Sequence, residues 1–80
     1  MADLKLDEYY ADEYRELLRR LKAARLAAGL TQEEVAKQLG KTQSFISRSE
    51  SGDRRIDIVE LQAIIRVYGL DLQMFLPDTD

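Results

Sequence analysis

Each of the four glycines in this chain is followed within a few residues by a threonine or an aspartate that suits the start of a helix. Glycine readily adopts the left-handed backbone that ends many helices, and Thr or Asp side chains accept hydrogen bonds from the first N–H groups of the next helix. The pairs are Gly29 with Thr31, Gly40 with Thr42, Gly52 with Asp57, and Gly69 with Asp71. The sequence shows no strand-like alternation, so it predicts an all-α chain of five helices with short joints.

Apolar residues at helical spacing indicate where the five helices lie between these stops and caps. In order, the predicted helices run from Asp7 or Ala11 to Gly29, from Thr31 to Gly40, from Thr42 to Gly52, from Asp57 to Gly69, and from Asp71 to Pro77. Thr31 with Glu34, and Asp57 with Glu60, have the spacing of a capping box, in which each side chain bonds the other residue's backbone N–H. The second and fourth helices therefore have well-marked starts.

The second and third predicted helices are separated only by Gly-Lys-Thr at positions 40–42. A joint this short, with a glycine, forces a sharp angle between the helices, so the sequence predicts a helix-turn-helix. We expect it to lie within a single domain over residues 14–76. Residues 1–13 form an acidic extension that leads into the first helix or belongs to it, and residues 77–80 form a short tail.

The chain contains no histidine and no cysteine, which excludes disulfides, thiolate chemistry and the usual zinc sites. Catalysis would need carboxylates, and the adjacent Glu33 and Glu34 lie in a capping turn, where acidic residues favour the helix dipole. We therefore predict no enzyme activity, no metal and no cofactor. No apolar run approaches the roughly 20 residues of a membrane helix, and the acidic start lacks the order of a signal peptide, so we expect a cytoplasmic protein without membrane contact.

The net charge of −3 hides an uneven distribution along the chain. Residues 15–55 contain ten Lys or Arg and five Asp or Glu, a net +5, whereas residues 1–14 and residues 56–80 each carry a net −4. A protein with this pattern can present one basic face to a polyanion in spite of its acidic total. Charge alone, however, favours the plainer interpretation of a solvated surface.

The third helix, within "TQSFISRSESG" at 42–52, has two faces of different chemistry at about 100° per residue. The inward face holds Phe45, Ile46, Ser49 and Glu50. The outward face, called the polar face below, holds Gln43, Ser44, Ser47, Arg48 and Ser51. Gln and Arg can each form two hydrogen bonds with adenine and guanine edges in the major groove, and Ser can bond either base. The turn before the helix and the basic segment favour DNA binding over a merely solvated face.

Residues 17–76 resemble the helix-turn-helix domain of phage repressors and Cro-like regulators, the xenobiotic-response-element (XRE) family. The resemblance rests on "R-x-x-x-G-L-T-Q", "V-A-x-x-L-G", "Q-S-F-I-S" and "E-S-G" in this order and spacing. It implies a compact five-helix, lambda-repressor-like fold. It also implies a prokaryotic or phage transcription regulator, usually a repressor, that binds double-stranded DNA as a homodimer and joins the nucleoid when bound.

The resemblance also implies roles for residues of this chain. Base edges would be read by Gln43, Ser44, Ser47 and Arg48. DNA phosphates would be contacted by Gln32, Lys41, Thr42, Arg54 and Arg55. Arg25 and Glu50 would form an ion pair between the first and third helices. We interpret the remaining basic residues of the basic segment, together with Arg66, as solvated surface: Arg15, Arg19, Arg20, Lys22 and Lys37.

The last two predicted helices carry more apolar residues than one small core easily absorbs. We therefore place the dimer interface on Val67, Tyr68, Met74 and Phe75, with the alternative that these residues only close the core. A second class of function stays open, a protein-interaction module of the same fold such as an antitoxin or an adaptor. The acidic N-terminal segment "LDEYYADEY" could bind such a protein partner.

Position 49 departs from the family pattern, which has a large apolar residue there. Ser49 lies near the middle of the inward face. Its hydroxyl could bond the carbonyl of Phe45, the position could be less buried than the spacing indicates, or neighbouring side chains could fill the space. An engineered substitution is a further alternative. A leucine-sized void would cost about 2–5 kcal/mol if the core did not relax.

Overall fold

The structure, a computed structural model, describes the backbone of residues 6–76 and the side chains of residues 10–76. This part of the chain forms five helices and no strand: α1 (Leu6–Ala27), α2 (Gln32–Leu39), α3 (Gln43–Ser51), α4 (Ile58–Val67) and α5 (Leu72–Phe75). The predicted all-α, five-helix fold is confirmed. The first residues of the acidic extension, 1–5, the tail over 77–80 and the helix stop at Pro77 lie outside the described residues.

The capping side chains hold the short joints with hydrogen bonds. Thr31 Oγ1 accepts from the Glu34 N–H at 3.1 Å, and the Glu34 carboxylate accepts from the Thr31 N–H at 2.8 Å. Asp57 and Glu60 form the same reciprocal pair ahead of α4. Each cap satisfies N–H groups that a helix start leaves free and contributes about 1 kcal/mol. The starts of these helices are therefore determined by neighbouring residues in the sequence, whereas the angles between the helices are determined by packing in the core.

One cluster of buried side chains draws on all five helices. Leu21, Val35, Ile46 and Ile65 are at most 1% exposed, and full burial of a side chain of this size contributes about 1.5–3 kcal/mol. α3 packs against α1 and α2, and α2 also packs against α4. The inner face of α3 is thereby fixed, which leaves its polar face outside.

Two residues of the predicted dimer interface belong to this core instead. Tyr68 is 7% exposed and Phe75 is 3% exposed, so neither side chain is available to a second copy, and the structure corrects both assignments. Val67 is half-buried against the core, whereas Met74 is 60% exposed. The cause is the size of α5: it is a single turn whose buried residue is Phe75, and Leu72 packs beside it against the core.

Arg20 is a further correction, because it does not belong to the solvated surface. The residue is half-buried, and its Nη2 donates to the backbone carbonyl of Phe75 at 3.1 Å. This bond joins the middle of α1 to the end of α5 and satisfies a carbonyl that a helix end leaves free. The two residues are 55 positions apart, and no rule of sequence spacing connects them.

Ser49 is 1% exposed, so the explanation that its position is poorly buried is wrong. Its hydroxyl has no hydrogen-bond partner among the described residues, which also rules against a bond to the Phe45 carbonyl. A buried hydroxyl without a partner costs about 1–3 kcal/mol. The inward face of α3 therefore carries one polar group that destabilises the fold.

We expect Ser49→Ala to raise the free energy of unfolding by about 1–3 kcal/mol, because it removes the unpartnered hydroxyl. Ser47→Ala is the matched control: it lies on the same helix and makes the same small gain in helix propensity, but its side chain is only half-buried. Urea midpoints of both variants give the comparison. If Ser49→Ala is no more stable than Ser47→Ala, the hydroxyl is satisfied in solution.

Candidate nucleic-acid interface

The turn between α2 and α3 determines how the polar face of α3 is presented. Gly40 ends α2 with a φ of 69°, in the left-handed region that favours glycine, and the Lys41 N–H donates to the Ala36 carbonyl at 2.9 Å. Thr42 then opens α3, since its Oγ1 accepts from the Phe45 N–H at 3.2 Å. Three residues, 40–42, therefore join α2 to α3.

The polar face of α3 is open to solvent over most of its length. Gln43, Ser44 and Arg48 are exposed, and Ser47 is half-buried. Ser51 serves the end of the helix instead, because its hydroxyl donates to the Arg48 carbonyl at 3.2 Å. None of the ion pairs among residues 10–76 includes Arg48. Its guanidinium is therefore available to an external ligand.

Gln43 is held by a chain of hydrogen bonds that ends on a buried carboxylate. Its Nε2 donates to Oε1 of Gln32 at 2.6 Å, and Nε2 of Gln32 donates to Oε1 of Glu50 at 3.1 Å. A carboxylate only accepts hydrogen bonds, so Gln32 must turn its NH₂ group to Glu50 and its oxygen to Gln43. Gln43 is left with one free N–H and its amide oxygen. These are the donor and the acceptor that the major-groove edge of adenine requires.

Glu50 is fixed in turn by Arg25 of α1. Nε of Arg25 donates to Oε2 of Glu50 at 2.7 Å, and Nη2 donates to Oε1 at 3.2 Å. The side chains are 8% and 5% exposed, and Nη1 of Arg25 also donates to the Leu30 carbonyl at 2.8 Å. The hydrogen bond to Glu50 raises the pKa of Arg25. The two-pronged pair anchors a network of hydrogen bonds that runs from α1 to the first turn of α3.

The ring of Phe45 carries two cations beside the start of α3. The guanidinium carbon of Arg54 lies 4.2 Å from the ring centroid, and the ammonium of Lys41 lies 5.2 Å from it. Cation–π contacts at exposed sites are worth about 0.5–1 kcal/mol. Phe45 is itself half-buried against the core, so it links both cations to the body of the domain.

Arg54 is also tied to α4. Its Nη1 donates to Glu60 Oε1 and to the Arg55 carbonyl, both at 3.0 Å, and its Nη2 donates to Glu60 Oε2. Both terminal nitrogens are therefore engaged within the protein. The bond from Arg54, followed by the bond from the Asp57 N–H, lowers the pKa of the Glu60 carboxyl. These contacts identify Arg54 as a residue that holds the loop between α3 and α4.

The Arg54–Glu60 pair should make stability fall in acid. The pKa of Glu60 lies below its ordinary value of 4.5 in the folded chain. Its contribution is therefore full above the ordinary pKa and is lost as the pH falls through the folded-state pKa. We expect Glu60→Gln to lose less stability than the wild type between about pH 5 and about pH 3, as measured by urea midpoints. Glu33→Gln, an exposed control on α2, should follow the wild type; equal losses in all three proteins would contradict the prediction.

Arg55 is held differently, on two tyrosines of α1. Its guanidinium carbon lies 4.2 Å from the ring centroid of Tyr10 and 5.1 Å from that of Tyr14, and the residue stays exposed. The Tyr14 hydroxyl accepts from the backbone N–H of Ile56 at 3.0 Å. Neither tyrosine was predicted from the sequence to be part of this site. Tyr14 lies 42 positions before Ile56, and neither spacing nor composition indicates that the two residues meet.

Comparison with known proteins gives the family of the chain. A family model described as helix-turn-helix matches residues 21–75, which is more than half of the chain. A solved structure described as an XRE-family like protein, from Pseudomonas syringae pv. tomato strain DC3000, is similar with a TM-score of 0.83 and 39% sequence identity; the match covers 86% of this chain and 84% of that chain. The chain belongs to the XRE-type helix-turn-helix family. No curated protein matches it.

The XRE family is one of DNA-binding helix-turn-helix regulators that are generally not enzymes. The family resemblance seen in the sequence is thus confirmed. Within residues 6–76, no helix is both long enough and apolar enough to cross a bilayer. The match to the family model begins at residue 21, so Tyr10 and Tyr14 belong to a part of α1 that precedes that match.

Proposed function

We propose that this XRE protein is a sequence-specific transcriptional repressor that places α3 in the major groove. The base-reading residues of the proposal are Gln43, Ser44, Ser47 and Arg48. The observation that carries it is the bond between Gln43 and Gln32, which connects an exposed amide to the buried Glu50. A solvated surface glutamine needs no such support, whereas a base-reading glutamine needs its donor and acceptor in a fixed order.

The proposed phosphate contacts lie on either side of α3. They are Gln32, Lys41, Thr42 and Arg55. Lys41 and Arg55 are exposed cations that rest on aromatic rings, which leaves their N–H groups able to meet phosphate oxygens. We assign Arg54 to holding the loop rather than to a phosphate, because both of its terminal nitrogens already bond Glu60 or the backbone.

We further propose that the protein binds a pseudo-palindromic operator as a homodimer. Two copies of α3 related by a two-fold axis would read half-sites about 34 Å apart, one turn of DNA. Because Tyr68 and Phe75 lie in the core, the interface would use the surface around the exposed Met74 and the half-buried Val67. We propose repression and not activation, because a dimer bound to its operator blocks other proteins from that DNA without needing any further contact.

Selection of bound duplexes from a random-sequence library, followed by titration of the recovered sequence, tests this proposal. We expect the recovered duplexes to share two inverted half-sites and the binding constant to fall steeply with salt, as phosphate contacts require. Sedimentation of the complex should show two chains per duplex. Unrelated recovered sequences would contradict the sequence-specific function, and one chain per duplex would contradict the dimer.

A protein-interaction module, such as an antitoxin or an adaptor, is the second candidate. It is favoured by an apolar groove of about 370 Å³ between α1 and α4, to which Tyr10, Leu17 and Ile58 contribute and where Glu13 and Asp57 supply negative charge. Ile58 is 56% exposed. A module that worked through this groove alone would enrich no duplex in the library selection, so the same experiment separates the two candidates.

A further inference from the structure

Tyr10 and Tyr14 lie in the first half of α1, before residue 21, where the match to the helix-turn-helix family model begins. The proposed reading of bases and phosphates does not use them, yet both contact the loop that follows α3. That loop carries Arg55, one of the proposed phosphate contacts. We propose that Tyr10 and Tyr14 are positioning residues for DNA binding: they form a tyrosine clamp that holds Arg55 where it meets the phosphate backbone.

The tyrosine clamp restrains Arg55 without using its hydrogen-bond donors. The two rings are 5.7 Å apart and inclined at 37° to each other, and the guanidinium carbon lies 4.2 Å and 5.1 Å from their centroids. A guanidinium stacks on a ring through its flat face, whereas its five N–H donors lie in its plane. The ring contacts restrain Arg55, and none of the ion pairs among residues 10–76 includes it, so its donors are available to phosphate oxygens.

The backbone on both sides of Arg55 is held as well. On one side, Arg54 bonds Glu60 of α4. On the other side, the Ile56 N–H donates to the Tyr14 hydroxyl at 3.0 Å. A long side chain that is already ordered loses less rotamer freedom when it meets its ligand, so the restraint favours binding.

The charge of the N-terminal segment indicates that it acts through Arg55 and not by touching DNA itself. Residues 1–14 carry one lysine against five acidic residues, and Asp12 and Glu13 are exposed on α1. Such a surface repels phosphates at short range. A contribution of this segment to DNA binding therefore has to pass through a cation that it holds. Within residues 10–76, Arg15 pairs with Asp12 of the segment, whereas Arg55, which rests on its two tyrosine rings, is the one that we propose as a phosphate contact.

The inference rests on the proposed phosphate contact of Arg55, so the experiment includes Arg55→Ala as a separate arm. Wild type, Tyr10→Leu, Arg55→Ala and the double variant are titrated against the selected duplex over a range of salt concentrations. Thermal melts verify that each protein is folded. We expect Arg55→Ala to weaken binding and to reduce the slope of log K against log salt by about one unit.

Tyr10→Leu should weaken binding by about 2–5-fold, the range that an exposed cation–π contact supports, and should lower the salt slope by a part of that unit. In the Arg55→Ala background, Tyr10→Leu should have no further effect, because the two residues act as one unit. Tyr10→Phe keeps the ring and should bind as the wild type does. Tyr14→Phe, which removes only the bond to the Ile56 N–H, should weaken binding only while Arg55 is present.

An equal loss from Tyr10→Leu in both backgrounds would overturn the inference, since it would show a general effect on the fold. Wild-type affinity of both tyrosine variants, with Arg55→Ala still weak, would also overturn it while the proposed function stands. If Arg55→Ala binds DNA with the affinity of the wild type, both the proposed phosphate contact of Arg55 and the tyrosine clamp are contradicted. If Tyr10→Leu fails to fold, Tyr14→Phe decides the question by the same comparison.

Discussion

Arg25→Met is expected to lower the free energy of unfolding by about 3–5 kcal/mol, because it leaves the Glu50 carboxylate buried without its cation. The side chains of the pair are 8% and 5% exposed, so water cannot replace the lost bonds without opening the fold. The Leu30 carbonyl loses its donor in the same change. The total free energy of unfolding of a native protein is only about 5–15 kcal/mol. The melting temperature, followed by circular dichroism, should therefore fall far below that of the wild type.

Two further variants separate the buried charge from ordinary packing. Glu50→Gln should also destabilise, because it leaves the Arg25 guanidinium without its carboxylate, and the double variant should lose less than the sum of the single losses. Arg19→Met is the matched control, since Arg19 pairs with Glu16 on the same helix but the two side chains are 74% and 43% exposed. An exposed pair contributes about 0–1 kcal/mol. If Arg25→Met and Arg19→Met have the same melting temperature, the buried pair contributes no more to stability than a surface ion pair does.

Gln43→Ala is expected to weaken binding to the selected operator by about 1–3 kcal/mol, which is about 5–150-fold, and to relax the preference at one base pair. The reason is the fixed amide: its free N–H and its oxygen can bond one base edge together. The measurement is a titration against a set of single-base operator variants. Arg55→Ala provides the contrast, because loss of a phosphate contact should weaken all variants alike.

Gln32→Ala tests whether the support of Gln43 matters to recognition. The change leaves Gln43 in place but removes the partner that accepts from its Nε2 at 2.6 Å. We expect a relaxed preference at the same base pair, and no further effect of Gln32→Ala on specificity when Gln43→Ala is already present. If Gln43→Ala binds every operator variant as the wild type does, the polar face of α3 is only solvated surface.

Some features of the fold could be predicted because they depend on neighbours in the sequence. Thr31, Asp57 and Gly40 act within one helical turn, where side-chain caps and left-handed glycines have few alternatives. The polar face of α3 follows from helical spacing alone. The assignment of Tyr68 and Phe75 to a dimer interface failed for a different reason. The amount of apolar surface that the core buries cannot be predicted from composition, because it depends on how α5 packs against the other helices.

The candidate site likewise combines features that depend on neighbouring residues with features that depend on tertiary packing. The sequence by itself determined the helix ends, the short turn at 40–42 and the outward set of Gln43 and Arg48, since all of these follow from local backbone geometry. Only the tertiary structure decided that Arg54 is engaged by Glu60 whereas Arg55 rests on Tyr10 with its donors free. Two adjacent arginines are equivalent in sequence, and they differ only because the packing of α1 and α4 brings different distant side chains to each of them.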